Sequence, residues 1–451
     1  MTNHLTKKRK YSRPSTRIPK YHGSEWFKAY YPMEAESWEL GKRKSIVQDR
    51  SEHKKLETEL VHRMSNGNWI WPEREILFFS DMHADAEAFL ASLVASGGVR
   101  KTGPADDDFE ITKVGRQAEF IIGGDCLDKG PSNLRLLRVV KALRKKKVRL
   151  HLLGGNHDVR FLQGIRCLDL KKETRTEHFF IRMGPKMVPF LKEIHDNYLQ
   201  GRGALKGVPS ARKCRSIFMP SKRWFDEFPK HAVWTMPDRE VEREVGRIQA
   251  KLERFEKACD RVGLGPRDIY AAAQVWKRMF LKKRGEFSWF YKEMQMTLQR
   301  GSFLFLHAGL DDHLISHMDL LGVDGVNKLF KKQLLGDPFE FYYGFLTNAI
   351  RTKYRVCNRP LTRRGVEKLH EQKILALVHG HLNHHHGQRI MLRKGLINFE
   401  CDTTMDRNTR SKEGLDGVGM GVTIFRPNKQ VLGVSSDFPA IKLFVPPTGQ
   451  E

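Results

Sequence analysis

Five short apolar runs in this chain stop at, or run directly into, clusters of Gly, Asp, Asn or His, and this pairing constrains the fold more than any other feature. Residues 75–81, 118–125 and 148–156 read as buried strands that end at Gly or Asp. Residues 302–307 and 374–378 repeat the pattern and lead into His307-Ala308-Gly309 and His379-Gly380-His381. Two further strand-like runs follow at 395–399 and 419–425. Between the second and third runs, Leu134, Leu136, Leu137, Val140 and Leu143 fall at helical spacing. Strands separated by helical segments predict parallel βαβ units.

The stretch 159–300 breaks this rhythm and reads as mainly helical. Within it Val241, Val245, Ile248, Leu252, Phe255, Cys259 and Val262 step by four and three alternately. Such a seam either packs on its own domain or pairs with a second copy as a coiled coil. The economical organisation is one α/β core over 75–158 and 301–445, interrupted by a basic helical insertion over 159–300 that forms a cap. A lead-in segment occupies 25–74. Residues 1–24 hold seven Lys/Arg and no acid, so they are expected to form a disordered basic arm.

Charge then bears on partners. The net charge is +27, from 80 Lys/Arg against 53 Asp/Glu. The insertion alone holds 31 basic and 17 acidic side chains, a net of +14. An excess of that size suits an anionic substrate, or nucleic acid or another polyanion drawn to the arm and insertion. No run approaches the roughly 20 apolar residues that span a bilayer, so no membrane role is expected. The basic N-terminus lacks the apolar stretch of a secretory signal. Six scattered cysteines with no C-x-x-C pair argue against a zinc ribbon and a disulfide framework, and they fit a cytoplasmic location.

The polar clusters carry the chemistry. Asp81 and His83 close the first strand, and Asp125 and Asp128 follow the second. Asn156 and His157 follow the third, His307 the fourth and His381 the fifth. In a parallel α/β sheet, sites form at the carboxyl ends of strands. Each cluster alone is an ordinary turn or helix cap. Five in this order supply carboxylate, imidazole and amide donors with no thiolate, a mixture suited to two divalent transition ions. A carboxylate shared between two ions holds them about 3.5–4 Å apart, the arrangement for attack on phosphorus.

In these residues the chain resembles the calcineurin-like metallophosphoesterase superfamily. The motifs are Asp81-Met82-His83, Gly124-Asp125 with Asp128 and Gly130, Gly155-Asn156-His157-Asp158, His307-Ala308-Gly309 and Gly380-His381. Within that superfamily the chain looks most like the phosphoprotein phosphatase branch and its bacterial relatives, including the diadenosine tetraphosphate hydrolases. Asp128 carries this preference, because related nucleases have His there. The resemblance implies a four-layer α/β/β/α sandwich and two divalent ions, manganese before iron, zinc, nickel or cobalt. It places one ion on Asp81, His83 and Asp125, and the other on Asp125, Asn156, His307 and His381. It makes a metal-bound water the nucleophile, His157 the general acid and Asp128 the group that orients it.

Three departures stand out. The first motif lacks flanking glycines, Lys129 replaces the branch's usual arginine, and Asn383 stands where many members have a second histidine. Lys129, Arg351 and Arg355 are the candidates for holding substrate phosphate. The run His384-His385-His386 reads as a solvated turn or an accessory metal site. The expected reaction is hydrolysis of a phosphate monoester on a small molecule or a phosphoprotein. A phosphodiesterase or pyrophosphatase acting on nucleotides, dinucleoside polyphosphates or nucleic acid is the alternative, and a non-catalytic nucleic-acid-binding protein is a third class.

Overall fold

The computed structural model describes residues 16–38, 40–41, 53–65, 68–355 and 358–446. The strands are β1 (Ala35–Ser37), β2 (Leu40–Gly41), β3 (Ile76–Phe79), β4 (Val99–Lys101) and β5 (Phe109–Ile111). They continue with β6 (Glu119–Ile122), β7 (Arg149–Leu153), β8 (Met294–Gln295), β9 (Thr297–Arg300), β10 (Phe303–Leu306) and β11 (Ala376–His379). The last are β12 (Arg389–Arg393), β13 (Leu396–Glu400), β14 (Gly421–Phe425), β15 (Val431–Ser435) and β16 (Ile441–Phe444).

One sheet has eight strands in the order β1-β16-β15-β14-β3-β6-β7-β8, the other six in the order β2-β12-β13-β11-β10-β9, and β4-β5 is a separate hairpin. As the βαβ pattern requires, β3, β6 and β7 run parallel, and so do β10, β11 and β13. Side chains alternate across each strand, and the alternation builds the layers. Ile76 and Phe78 join Ile121, Phe303, Phe305 and Val378 in a core between the sheets, where the Phe78 and Phe305 rings lie 5.7 Å apart. Leu77, Phe79, Phe120 and Ile122 face the opposite way, into the helices. Leu304, Leu306 and Leu377 do the same on the second sheet, beneath helix Asp312–Leu334. The result is the expected α/β/β/α sandwich.

Three boundaries differ from expectation. The stretch 159–300 ends as core, because β8 pairs with β7 and β9 with β10. Its start is continuous with helix Asn156–Arg166. The lead-in joins the core: β1 extends the first sheet against β16 and β2 extends the second against β12. The arm expected over 1–24 lies outside the described residues as far as residue 15. Residues 16–24 are packed: Pro19 is buried, the Thr16 hydroxyl donates to Gln430 at 2.9 Å, and the Lys101 amide donates to His22 O.

Between β7 and β8 the chain is helical. In helix Asp238–Arg261, Val241, Ile248, Phe255 and Cys259 are buried, and Val245 and Leu252 pack on the same core. The heptad seam therefore faces its own chain. Glu193 ties this region to the core by accepting from the Asn133 and Leu134 amides at 2.9 and 3.2 Å, at the start of helix Asn133–Lys145. No helix among the described residues is long and apolar enough to cross a membrane, and the five described cysteines are free.

Candidate active site

All five polar clusters emerge from strand ends on one side of the sandwich, from β3, β6 and β7 in one sheet and β10 and β11 in the other. The backbone there is bent into the left-handed region that non-glycine residues avoid. Six candidate residues have positive φ: Asp81 (54°), His83 (41°), Asp125 (53°), Asp128 (78°), Lys129 (67°) and His381 (65°). Strain of this kind persists only where the surroundings fix it, and it collects at functional sites. Two glycines allow the loops to close. A Cβ on Gly155 would fall 2.0 Å from the Asp125 nitrogen, and one on Gly380 1.9 Å from Asp81 Oδ2.

The structure brings the six candidate ligands together. Ligand-type atoms of His83, Asp125 and His157 lie within 4.8 Å of one another, as do those of Asp125, His307 and His381. Asp125 belongs to both groups. Asp81 adjoins the first, with Oδ1 3.7 Å from His83 Nε2, and its Oδ2 accepts from the His381 amide at 2.8 Å. Asn156 adjoins the second, with Oδ1 3.1 Å from His307 Nε2. His307 Nδ1 donates to Gly123 O at 2.8 Å, which aims Nε2 toward Asp125 Oδ2 at 3.5 Å.

These donors fit divalent cations on chemical grounds. Asp81 and Asp125 are almost fully buried and repel one another. Positive charge already gathers around them. Burial works against a charged His307, yet the Asp125 carboxylate raises its pKa to about 10. The Lys129 ammonium lies 2.6 Å from His83 Nε2, close to where the first group converges.

His157 sits beside Asp125. Its amide donates to Asp125 Oδ1 at 2.8 Å, and its Nδ1 lies 2.7 Å from Asp128 Oδ2. Asn156 and His157 point to different partners, His307 and Asp128. They open helix Asn156–Arg166, with Gly155 as its N-cap. Asp81 and His83 lie in a left-handed turn just beyond the end of β3. Burial lowers the His157 pKa to about 4, against the pull of Asp125 and Asp128. Burial also pushes Asp128 up, but His157 and Arg160 hold it well below the usual carboxylate range.

A cavity of about 420 Å³ opens over these groups, lined by His83, Asp128, Lys129, Lys186, Lys353 and His381 among others. Neither candidate arginine lines it. The Arg351 guanidinium stacks over the Tyr342 ring at 5.2 Å, while its carbonyl lies 3.1 Å from His381 Nε2. Arg355 is exposed, and its amide donates to Asn358. Lys353, between them, reaches the cavity instead.

Sequence reasoning also missed Arg160, whose Nη2 lies 3.0 Å from Asp128 Oδ2. It stands one helical turn beyond His157, a spacing that could have revealed it. His384 and His385 pair with Glu400 and Glu413 at 2.6 and 2.9 Å. They enter no metal-type group among the described residues.

Residues 74–230 match the model of the calcineurin-like phosphoesterase family. The chain therefore carries a phosphoesterase domain of that family, and the match takes in the first three motifs. No curated protein matches the chain in sequence. Among solved structures, the cold-active protein tyrosine phosphatase of a psychrophilic Shewanella species is similar over 82% of this chain and 80% of its own, at 12% identity and a TM-score of 0.40. A protein serine/threonine phosphatase from Saccharomyces cerevisiae is similar over 88% of this chain and 91% of its own, at 11% identity and a TM-score of 0.34. At these values the likeness fixes neither subfamily nor substrate.

Proposed function

We propose that this chain is a binuclear metal-dependent phosphoesterase that hydrolyses phosphate monoesters, of a small molecule or a phosphoprotein. One observation carries the proposal: Asp125 is common to two groups of donors, His83-Asp125-His157 and Asp125-His307-His381. Asp81, His83 and Asp125 would hold one divalent ion, and Asp125, Asn156, His307 and His381 the other. Manganese comes before iron, zinc, nickel or cobalt. Bound there, such a pair supplies Lewis acidity toward phosphoryl oxygens and activates water near neutral pH.

The chain's own residues do the rest. His157, neutral without substrate at neutral pH, would take up a proton beside the anionic phosphoryl group and give it from Nε2 to the leaving oxygen. Asp128 accepts from Nδ1 and so keeps the acidic proton on Nε2. Lys129 and Lys353 line the cavity and offer positive charge to the phosphoryl group. Among the described residues the cysteines are unpaired, in keeping with a cytoplasmic location.

The exposed cluster Lys282-Lys283-Arg284 and the exposed Arg212-Lys213 give the insertion a basic surface, which supports a polyanion as substrate or partner. This favours a phosphodiesterase or pyrophosphatase as the second reading.

A substrate panel on manganese-loaded protein decides between them. It comprises p-nitrophenyl phosphate, its bis ester, a phosphoserine peptide, a dinucleoside polyphosphate and single-stranded DNA. The monoester reading requires p-nitrophenyl phosphate to be turned over well ahead of the bis ester. The reverse order, or cleavage of DNA, contradicts it.

A further inference from the structure

We infer that Lys186, delivered by the insertion, binds a second phosphate on the leaving group, so that the preferred substrate is a small phosphomonoester bearing a further phosphate. The inference rests on the proposed role of His157, because the acid marks the side from which the leaving group departs.

Lys186 lies in the short turn Pro185–Met187, between the left-handed Gly184 (φ 74°) and the fully buried Met187. Its backbone is thereby fixed while its side chain stands exposed at the cavity mouth. The charged groups that act on it are Asp128, Arg160, Lys129 and Asp125, which are the surroundings of His157. Lys353 feels Arg355, Asp402 and Asp81 instead, and the two lysines have only Lys129 in common. The two lysines therefore serve different sides of the cavity.

On the His157 side, Asp128 is already neutralised by Arg160 at 3.0 Å. Arg160 also keeps a buried Nε with no partner. Among the described residues Lys186 forms no ion pair, so its charge is surplus on this side. The rest of the lining holds Asp402, Asp406 and Glu413 against Lys129, Lys353 and Lys412, with Lys129 acting on both Asp402 and Asp406. An additional anionic group is therefore attracted to Lys186, the lining lysine at this mouth of the cavity that has no ion-pair partner among the described residues. A volume of about 420 Å³ suits a small molecule rather than a folded protein surface.

The test compares fructose 1,6-bisphosphate with fructose 1-phosphate and fructose 6-phosphate, using manganese-loaded wild type, Lys186→Ala and Lys186→Arg. Initial phosphate release is followed, and metal content and melting midpoint serve as folding controls. Wild type should favour the bisphosphate in kcat/KM by about tenfold or more, mainly through KM, as one charge-assisted hydrogen bond can supply. Lys186→Ala should lose most of that preference, and Lys186→Arg should restore part of it. A wild-type ratio near one overturns the inference. So does a preference that survives in Lys186→Ala, or a phosphoserine peptide turned over faster than any of the sugars. If wild type hydrolyses no phosphate ester at all, the proposed function falls first and takes this inference with it.

Discussion

His157 Nδ1 lies 2.7 Å from Asp128 Oδ2, and both residues are buried, with Asp128 lining the cavity. On the proposed reading the pair is an acid and the carboxylate that keeps its acidic proton on Nε2. His157→Asn should leave metal content near that of wild type and lower kcat typically by about 10²–10⁴-fold. The loss should shrink for p-nitrophenyl phosphate, whose leaving group needs little protonation. Asp128 favours the charged imidazole, so Asp128→Asn should also move the alkaline limb of the kcat profile to lower pH. Equal losses on good and poor leaving groups, or a limb that stays in place, would contradict the acid role.

Gly155 brings the third motif against the second with no room for a side chain. Gly155→Ala should push the loop off Asp125, cutting both metal binding and activity while the far side of the sandwich stays folded. Circular dichroism beside metal analysis checks this. Normal metal content in the variant would show that the approach of the two loops is not needed.

Lys353, not the neighbouring arginines, reaches the cavity. Lys353→Met should raise KM for p-nitrophenyl phosphate several-fold, whereas Arg355→Ala should change kcat/KM less than about twofold, as for an exposed charge. Steady-state kinetics on the two variants decide it, and the reverse ranking would restore the sequence-based candidate.

Lys251, half-buried behind the cavity, donates to Arg182 O. Burial, with repulsion from Arg182, Arg160 and Lys186, lowers its pKa from the ordinary 10.5 to about 6. Its sign is therefore opposite to that of a stabilising lysine. Between these two values the unfolded chain binds a proton that the folded chain does not, so this group makes stability rise with pH. Lys251→Met should be more stable at neutral pH. Its advantage should fall by up to about 1.4 kcal/mol per pH unit as pH rises toward 10. Denaturation midpoints from pH 6.5 to 9.5 measure the difference, and parallel curves for the two proteins would rule the effect out.

The sandwich was legible because its central strands are short, apolar and stopped by glycine or aspartate. The ligand set was legible because Asp81, His83, Asp125, Asn156, His307 and His381 all sit next to those stops. The outer strands β1 and β2 were not, being only three and two residues long and without apolar alternation. The helix that begins at Asn156 was hidden because glycine, its N-cap, gives no side-chain capping signal. Lys186 and Lys353 escaped notice for a different reason: nothing local marks a lysine that tertiary packing carries to the cavity from far along the chain. Arg351 misled because its guanidinium is taken up by Tyr342.

The central claim is that Asp125 joins two cation sites. Its most direct test is metal stoichiometry by mass spectrometry on manganese-reconstituted wild type and Asp125→Asn, with p-nitrophenyl phosphate hydrolysis measured on the same samples. The account predicts two ions per chain and hydrolysis in wild type, with fewer than one ion and no measurable turnover in the variant. Two ions per chain retained by Asp125→Asn would contradict it.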